Sequence, residues 1–491
     1  MQETQLKDKA VTGVIWTFIQ RFMSVFIQFV SNIVLARLLT PDDYGCIGML
    51  TIFMLLSATI IDGGFSSALI QKKRPTQEDY STIFWWNLGL SIGVYLILYC
   101  SAPYIANFYH IDLLCPVLRV QGIVLIINAL QTVQVNQLNK QFRFKKISIV
   151  TLLSSTVSLA ITILLAYNGF GVWALVAQNL LMATIPTLIY WLTNKWSPSW
   201  IFSTKSFKEL FDFGFFMFLT SLTSTFVNNI QGLLIGRFYS ATQMGYYTKA
   251  HRTEMLASTS ISQVISQVSY PLYAELQDNR QTLINTIKKL TLSVSYLTFP
   301  MMLLLILLAK PIFILLYSEK WLPAVPFFQI LCIAGLAICL QSVNSQSIAA
   351  IGKSRAMFIW SFIKQSIGLI FMLVGLRVYG MKGLLIGMVM KSWLIYIINA
   401  SLVSHYIGYK LYRQLLDILP VLAISFIAFG ISFLTTYWID MPMYLDACIQ
   451  LAVFIISYIL MSVILKMESY QIFKTLISPY WTRLKSRFIK V

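Results

Sequence analysis

Few side chains in this sequence have the chemistry for a functional site, and they fall on a small number of helical faces. Arg21 lies about eleven residues into the first apolar run, near a bilayer midplane at ~1.5 Å of rise per residue. Ser24, Gln28 and Asn32 follow at +3, +7 and +11, so the four share one helix face. Thr220, Ser224, Asn228 and Gln231 draw a similar stripe in the seventh run, and Lys249, Arg252, Thr259, Gln263 and Ser266 recur on one face of the eighth. Ionisable groups deep in a membrane segment are costly and mark functional sites. Cations prevail on these faces and call for an anionic guest, which an arginine fork holds without losing its charge. Arg21, Ser24, Gln28, Asn32, Asn228, Gln231, Lys249 and Arg252 are therefore the candidate binding residues. The chemistry they offer is recognition, and no catalytic residue is expected.

Two carboxylates stand apart. Asp62 precedes Gly63-Gly64, a pair that loosens a helix where a carboxylate needs room. Glu254 is two residues from Arg252 and so points elsewhere, towards His251 and Ser258. Both are candidates for coupling to a proton or sodium gradient. Lys364 and Lys391 sit in later runs, where lysines either pair or reach to an interface. No metal or other cofactor is expected, because the six cysteines form no C-x-x-C pair and His110, His251 and His405 are scattered. Ile351 to Ser354 reads IGKS, like the end of a phosphate-binding loop, but the first glycine of that motif would fall on Ser347. An ATPase is excluded.

Membrane helices must position these residues. The chain has 491 residues, 57% of them hydrophobic and 11% charged, with a mean hydropathy of +0.73; a soluble chain carries about 25% charge. The net charge of +19 lies between apolar runs and not in a basic domain, which argues for membrane topology and against nucleic acid. The first run carries Arg21 and lacks a small-residue cleavage site, so no cleaved leader is expected. At about 20 apolar residues per crossing, fourteen spans are expected: 11–38, 44–70, 82–102, 116–135, 147–167, 171–192, 210–238, 244–270, 290–309, 324–350, 356–378, 382–404, 415–437 and 445–466. Lysine and arginine gather in alternate connections, at 72–74, 140–146, 195–208, 280–289, 353–355, 410–413 and 466–490, which assigns both termini to the cytoplasm. Lys72 and Lys73 read as topology signals of this kind. The outer loops are too short for an extracytoplasmic catalytic domain.

The chain also repeats itself. Leu35 to Gly45 reads LARLLTPDDYG and Ile235 to Gly245 reads IGRFYSATQMG, with Arg37 on Arg237 and Gly45 on Gly245. PYIANFY from Pro103 matches PIFILLY from Pro311, QTVQVN from Gln131 matches QSVN from Gln341, and NGFGVWALV from Asn168 matches GMKGLLIGM from Gly380. Six helices followed by six of the same plan enter the membrane in the same orientation. Such parallel repeats, related by an axis along the membrane normal, belong to transporters whose halves rock around a central site. The expected organisation is an all-α polytopic membrane protein with a six-helix bundle over 1–194 and a cytoplasmic linker over 195–209. A second six-helix bundle follows over 210–404, then an extra helix pair and a basic amphipathic tail over 405–491. That tail suits the anionic lipids of an inner leaflet. The outer turns at 40–44 and 240–244 are candidate gates.

KDKAVTGVIWTFIQRF, LARLLTPDDYG, DGGFSSALIQKK, GFGVWALVAQNL, LLIGRFYSATQMGYY, YPLYAELQD and SEKWLPAVPFFQIL together resemble one known family. It is the polysaccharide-transporter, or Wzx-type oligosaccharide flippase, branch of the multidrug/oligosaccharidyl-lipid/polysaccharide (MOP) superfamily. The resemblance covers Lys7 to Leu402. It implies a V-shaped pair of six-helix bundles, with a cationic cavity lined largely by helices 1, 2, 7 and 8. It also implies a multi-pass protein of the bacterial inner membrane, a secondary transporter and not an enzyme. Its cargo would be undecaprenyl-diphosphate-linked oligosaccharide repeat units, moved from the cytoplasmic to the periplasmic leaflet for capsule, O-antigen (lipopolysaccharide) or exopolysaccharide. A polymerase and glycosyltransferases of the same pathway are the implied partners. A drug or metabolite antiporter of the same superfamily would instead line its cavity with acids, and a membrane polymerase or glycosyltransferase would show a catalytic loop or carboxylate cluster; neither feature is visible.

Overall fold

The computed structural model describes residues 2–438 and 442–475. Its regular elements are helices, and among the described residues eleven are long and apolar enough to cross a membrane, or twelve with one bent segment included. The protein is an all-α, multi-pass membrane protein. It divides into two compact units, Met1–Thr248 and Lys249–Val491.

The first unit holds α1 (Gln2–Leu38), α2 (Pro41–Asp62), α3 (Phe65–Gln71), α4 (Gln77–Tyr109), α5 (Leu114–Lys140), α6 (Phe144–Tyr167), α7 (Val172–Thr193), α8 (Thr204–Phe238) and the first turns of α9 (Ala241–Glu275). α2 starts on a capping box, in which Asp43 N–H donates to Thr40 Oγ1 at 3.3 Å and Thr40 N–H donates to Asp43 Oδ2 at 2.9 Å, with Pro41 in the first turn. The expected second span arrives in two pieces, because Gly63 and Gly64 adopt φ of 54° and 78°. Those left-handed conformations suit glycine, and they leave Asp62 as the last residue of α2. α1 packs along α6, α4 along α5, and both α5 and α6 against α7. α8, which holds the span expected to open the second bundle, packs against α2, α3 and α4. The compact units thus part at Thr248, well beyond the expected 195–209 linker.

The second unit holds the rest of α9, α10 (Arg280–Leu307), α11 (Ala309–Tyr317), α12 (Val325–Ala350), α13 (Ser354–Tyr406), α14 (Leu411–Trp438) and α15 (Met443–Ile464). α12 packs against α10 and α13, and α14 against α10 and α15. α13 covers two of the expected spans. It breaks at Tyr379 and Gly380, whose φ of 61° is open to glycine, and the chain doubles back there. A Cβ on Gly375 would lie 2.1 Å from the Gly383 carbonyl oxygen, so only glycines allow the two halves to meet. The basic amphipathic tail from Leu476 onward lies outside the described residues.

Candidate functional site

The doubled turn closes on itself within the first unit. Gly45 of α2 meets the backbone of Ala241, and Gly245 of α9 meets the backbone of Pro41. A Cβ on Gly45 would come 1.9 Å from Ala241 O, and one on Gly245 would come 1.8 Å from Pro41 O. Pro41 and Ala241 are themselves equivalent positions of the repeat, so the contact is reciprocal, as in a two-fold interface. Thr242 Oγ1 donates to Asp42 Oδ1 at 2.6 Å across the same contact. Arg237 anchors this end of α8 by donating to the Phe108 carbonyl at 2.7 Å.

The other end of α2 and α3 is also held. Gly64 lies against Gly214 of α8, where a Cβ would come 2.2 Å from Gly214 O. Below the break, Lys72 Nζ reaches Asp79 at 3.0 Å and Glu209 of α8 at 3.1 Å. Burial works against the Lys72 charge, but the hydrogen bonds and charges of Asp79 and Glu209 prevail and hold its ammonium above the ordinary range. Lys72, read from the sequence as a topology signal, is therefore an ion-pair clamp between the loop after α3, α4 and α8, whereas Lys73 is exposed.

The predicted stripes receive different settings. On α1, Arg21 and Gln28 are exposed while Ser24 and Asn32 are half-buried. The neighbouring face of α1 is taken by α6 and α7, where Ser148 Oγ donates to the Trp16 carbonyl at 3.2 Å and Gln178 Nε2 to Ser31 Oγ at 3.2 Å. On α8, Asn228 is exposed, but Gln231 is buried and donates to the Asn228 carbonyl within its own helix. The cationic face of α9 is divided. Lys249 is wholly buried, its Nζ 4.0 Å from the Tyr317 ring centroid and 5.4 Å from that of Trp321, whereas Arg252 one turn on is exposed. The spacing in α9 gave no sign of these rings, which α11 and the turn after it supply. Glu254 is 2% exposed, and a Cβ on Gly335 of α12 would lie 2.7 Å from its Oε1. Among the described residues that oxygen has no hydrogen-bond partner.

Asp62 lies in a setting that was only half legible. It lines a cavity of about 430 Å³ inside the first unit, with Ser66 of α3, Asn128, Gln131, Thr132 and Asn136 of α5, Thr151 and Ser154 of α6, and Tyr190 of α7. The available signal was the polar series Asn128, Thr132, Asn136 at steps of four, which falls on one helix face.

Residues 34–326, more than half of the chain, match the polysaccharide biosynthesis protein family. The chain belongs to that family. The teichuronic acid biosynthesis protein TuaB of Bacillus subtilis is 25% identical over 357 residues, covering 72% of this chain and 74% of TuaB. The succinoglycan biosynthesis transport protein ExoT of Rhizobium meliloti is 24% identical, covering 72% of each chain. Among solved structures, the lipid II flippase MurJ in an inward closed conformation shares the fold with a TM-score of 0.72 at 18% identity, covering 93% of this chain and 98% of MurJ. The family match takes in both copies of the doubled turn, Asp62 and the Lys249 to Glu254 segment, and begins just after the α1 stripe.

Proposed function

We propose that this polysaccharide biosynthesis family member is a flippase. It moves undecaprenyl-diphosphate-linked oligosaccharide repeat units from the cytoplasmic to the periplasmic leaflet of a bacterial inner membrane by alternating access. The observation that carries the reading is the reciprocal contact of the doubled turn, Gly45 on Ala241 and Gly245 on Pro41. A contact between equivalent positions of two repeats is a gate that closes when the repeats meet and opens when they part, which is what alternating access requires. On the substrate side, Arg21 and Arg252 are the proposed diphosphate contacts. Both are exposed on membrane helices and keep their charge when desolvated. Ser24, Gln28, Asn32 and Asn228 offer hydroxyl and amide partners to the sugars. A proton or sodium gradient supplies the energy, with Asp62 and Glu254 as coupling carboxylates.

Purified protein in proteoliposomes, supplied with a lipid-linked oligosaccharide, tests the reading. Protection of the glycan from an external glycosidase should change with time only when the protein is present. Identical protection in empty vesicles would remove the flippase assignment.

A further inference from the structure

The Asp62 cavity presents oxygen lone pairs. Ser66 Oγ accepts from Asn136 Nδ2 at 3.1 Å and gives its own proton to Asp62 Oδ1. Thr132 Oγ1 donates to the Asn128 carbonyl at 2.8 Å, and Ser154 Oγ donates to the Val150 carbonyl at 2.7 Å. A hydroxyl has one proton and two lone pairs, so each of these three has its donor engaged and acceptor capacity left for the cavity. Among the described residues no lysine, arginine or histidine lines the cavity, and none of the ion pairs takes in Asp62. The walls therefore carry one carboxylate among neutral oxygens. Such a set repels anions, and a single carboxylate is a sparse supply for a divalent ion, which draws on more charge or a bound phosphate. The volume admits an ion with part of its hydration shell, at about 30 Å³ per water.

We propose that this cavity is a binding site for a monovalent alkali cation, held by the Asp62 carboxylate and the hydroxyl oxygens of Ser66, Thr132 and Ser154. The site rests on the cavity alone, and its use as the coupling site rests on the flippase reading. Its position suits that use, because Gly64, two residues from Asp62, is the point where α8 meets the helix break.

Binding of radioactive sodium to the purified protein in nanodiscs tests the site. The wild type should bind saturably, with unlabelled sodium but not choline as competitor. Asp62→Asn should weaken binding about tenfold or more, Thr132→Val should weaken it less, and Ser67→Ala, an exposed hydroxyl on the same short helix, should leave it unchanged. Wild type without saturable binding, or Asp62→Asn binding like the wild type, overturns the site. If Asp62→Asn fails to fold, Thr132→Val decides, provided that its thermal unfolding matches the wild type; unchanged affinity there overturns the assignment. Flipping measured on the same samples separates the two readings: flipping without sodium binding removes the site and leaves the flippase, and saturable sodium binding without flipping does the reverse.

Discussion

At the scale of single residues, Arg21 and Arg252 should behave alike and Lys249 should not. Losing one charge-assisted contact costs about 1.5 to 3 kcal/mol, roughly ten- to a hundredfold in affinity. Arg21→Gln or Arg252→Gln should therefore weaken binding of a lipid-linked oligosaccharide by that factor with little change in thermal stability, and lysine should restore it only partly because it lacks the fork. If both glutamine variants bind and flip like the wild type, these arginines are not the diphosphate contacts. Lys249 lies wholly buried against the Tyr317 and Trp321 rings, where a desolvated cation–π contact is worth about 2 kcal/mol. Lys249→Gln should lower the melting temperature, with any loss of binding following from that. A binding defect at unchanged melting temperature would return Lys249 to the substrate contacts.

At the scale of elements, the two ends of α2 and α3 are held by different means and should fail differently. The doubled turn closes through glycines whose Cβ positions are occupied by backbone, and overpacking of this kind typically costs about 1 to 3 kcal/mol. Gly45→Ala or Gly245→Ala should force the two helix starts apart and raise the reactivity of a cysteine placed at Thr242 towards an impermeant maleimide. Unchanged labelling would mean that the glycines do not set the closure. At the opposite end the clamp is ionic. Asp79 is buried at 1% side-chain exposure while Glu209 is 58% exposed, so Lys72→Gln acts mainly by leaving the Asp79 carboxylate without its cation. The expected cost is about 1 to 3 kcal/mol. Lys73→Gln should cost almost nothing, and equal melting temperatures for the two variants would refute the clamp.

At the scale of the whole molecule, the orientation drawn from alternate lysine- and arginine-rich connections makes a direct prediction. A cysteine at Asp112, in the turn between α4 and α5, should label from the periplasm, and one at Lys205, at the start of α8, only after permeabilisation. Both positions are exposed. The reverse pattern would invert the gates and the direction of transport with them.

The sequence by itself determined the membrane class, the all-helical fold and the doubled turn, because these depend on local composition: apolar length sets a crossing, and a glycine or proline sets its end. Against the fourteen spans it suggested, eleven or twelve helices among the described residues are long and apolar enough to cross, and the polar α9 is not one of them. It pointed to Gly63-Gly64 as a loosening of the second helix, and the structure has a break there. What it left undecided was partnership. Lys249 and Arg252 are three residues apart and share a helix face by spacing, yet one lies beneath rings contributed from seventy residues away and the other is exposed. Gln231 reads as one of a polar stripe but turns to its own backbone. Lys72 reads as a topology signal and is also an ion-pair clamp. Asp62 was visible as a costly carboxylate, but its cavity is assembled from α3, α5, α6 and α7, whose side chains meet only after packing. Helical periodicity determines which residues share a face; only the tertiary structure decides what that face meets, because burial and hydrogen bonding depend on neighbours distant in the chain.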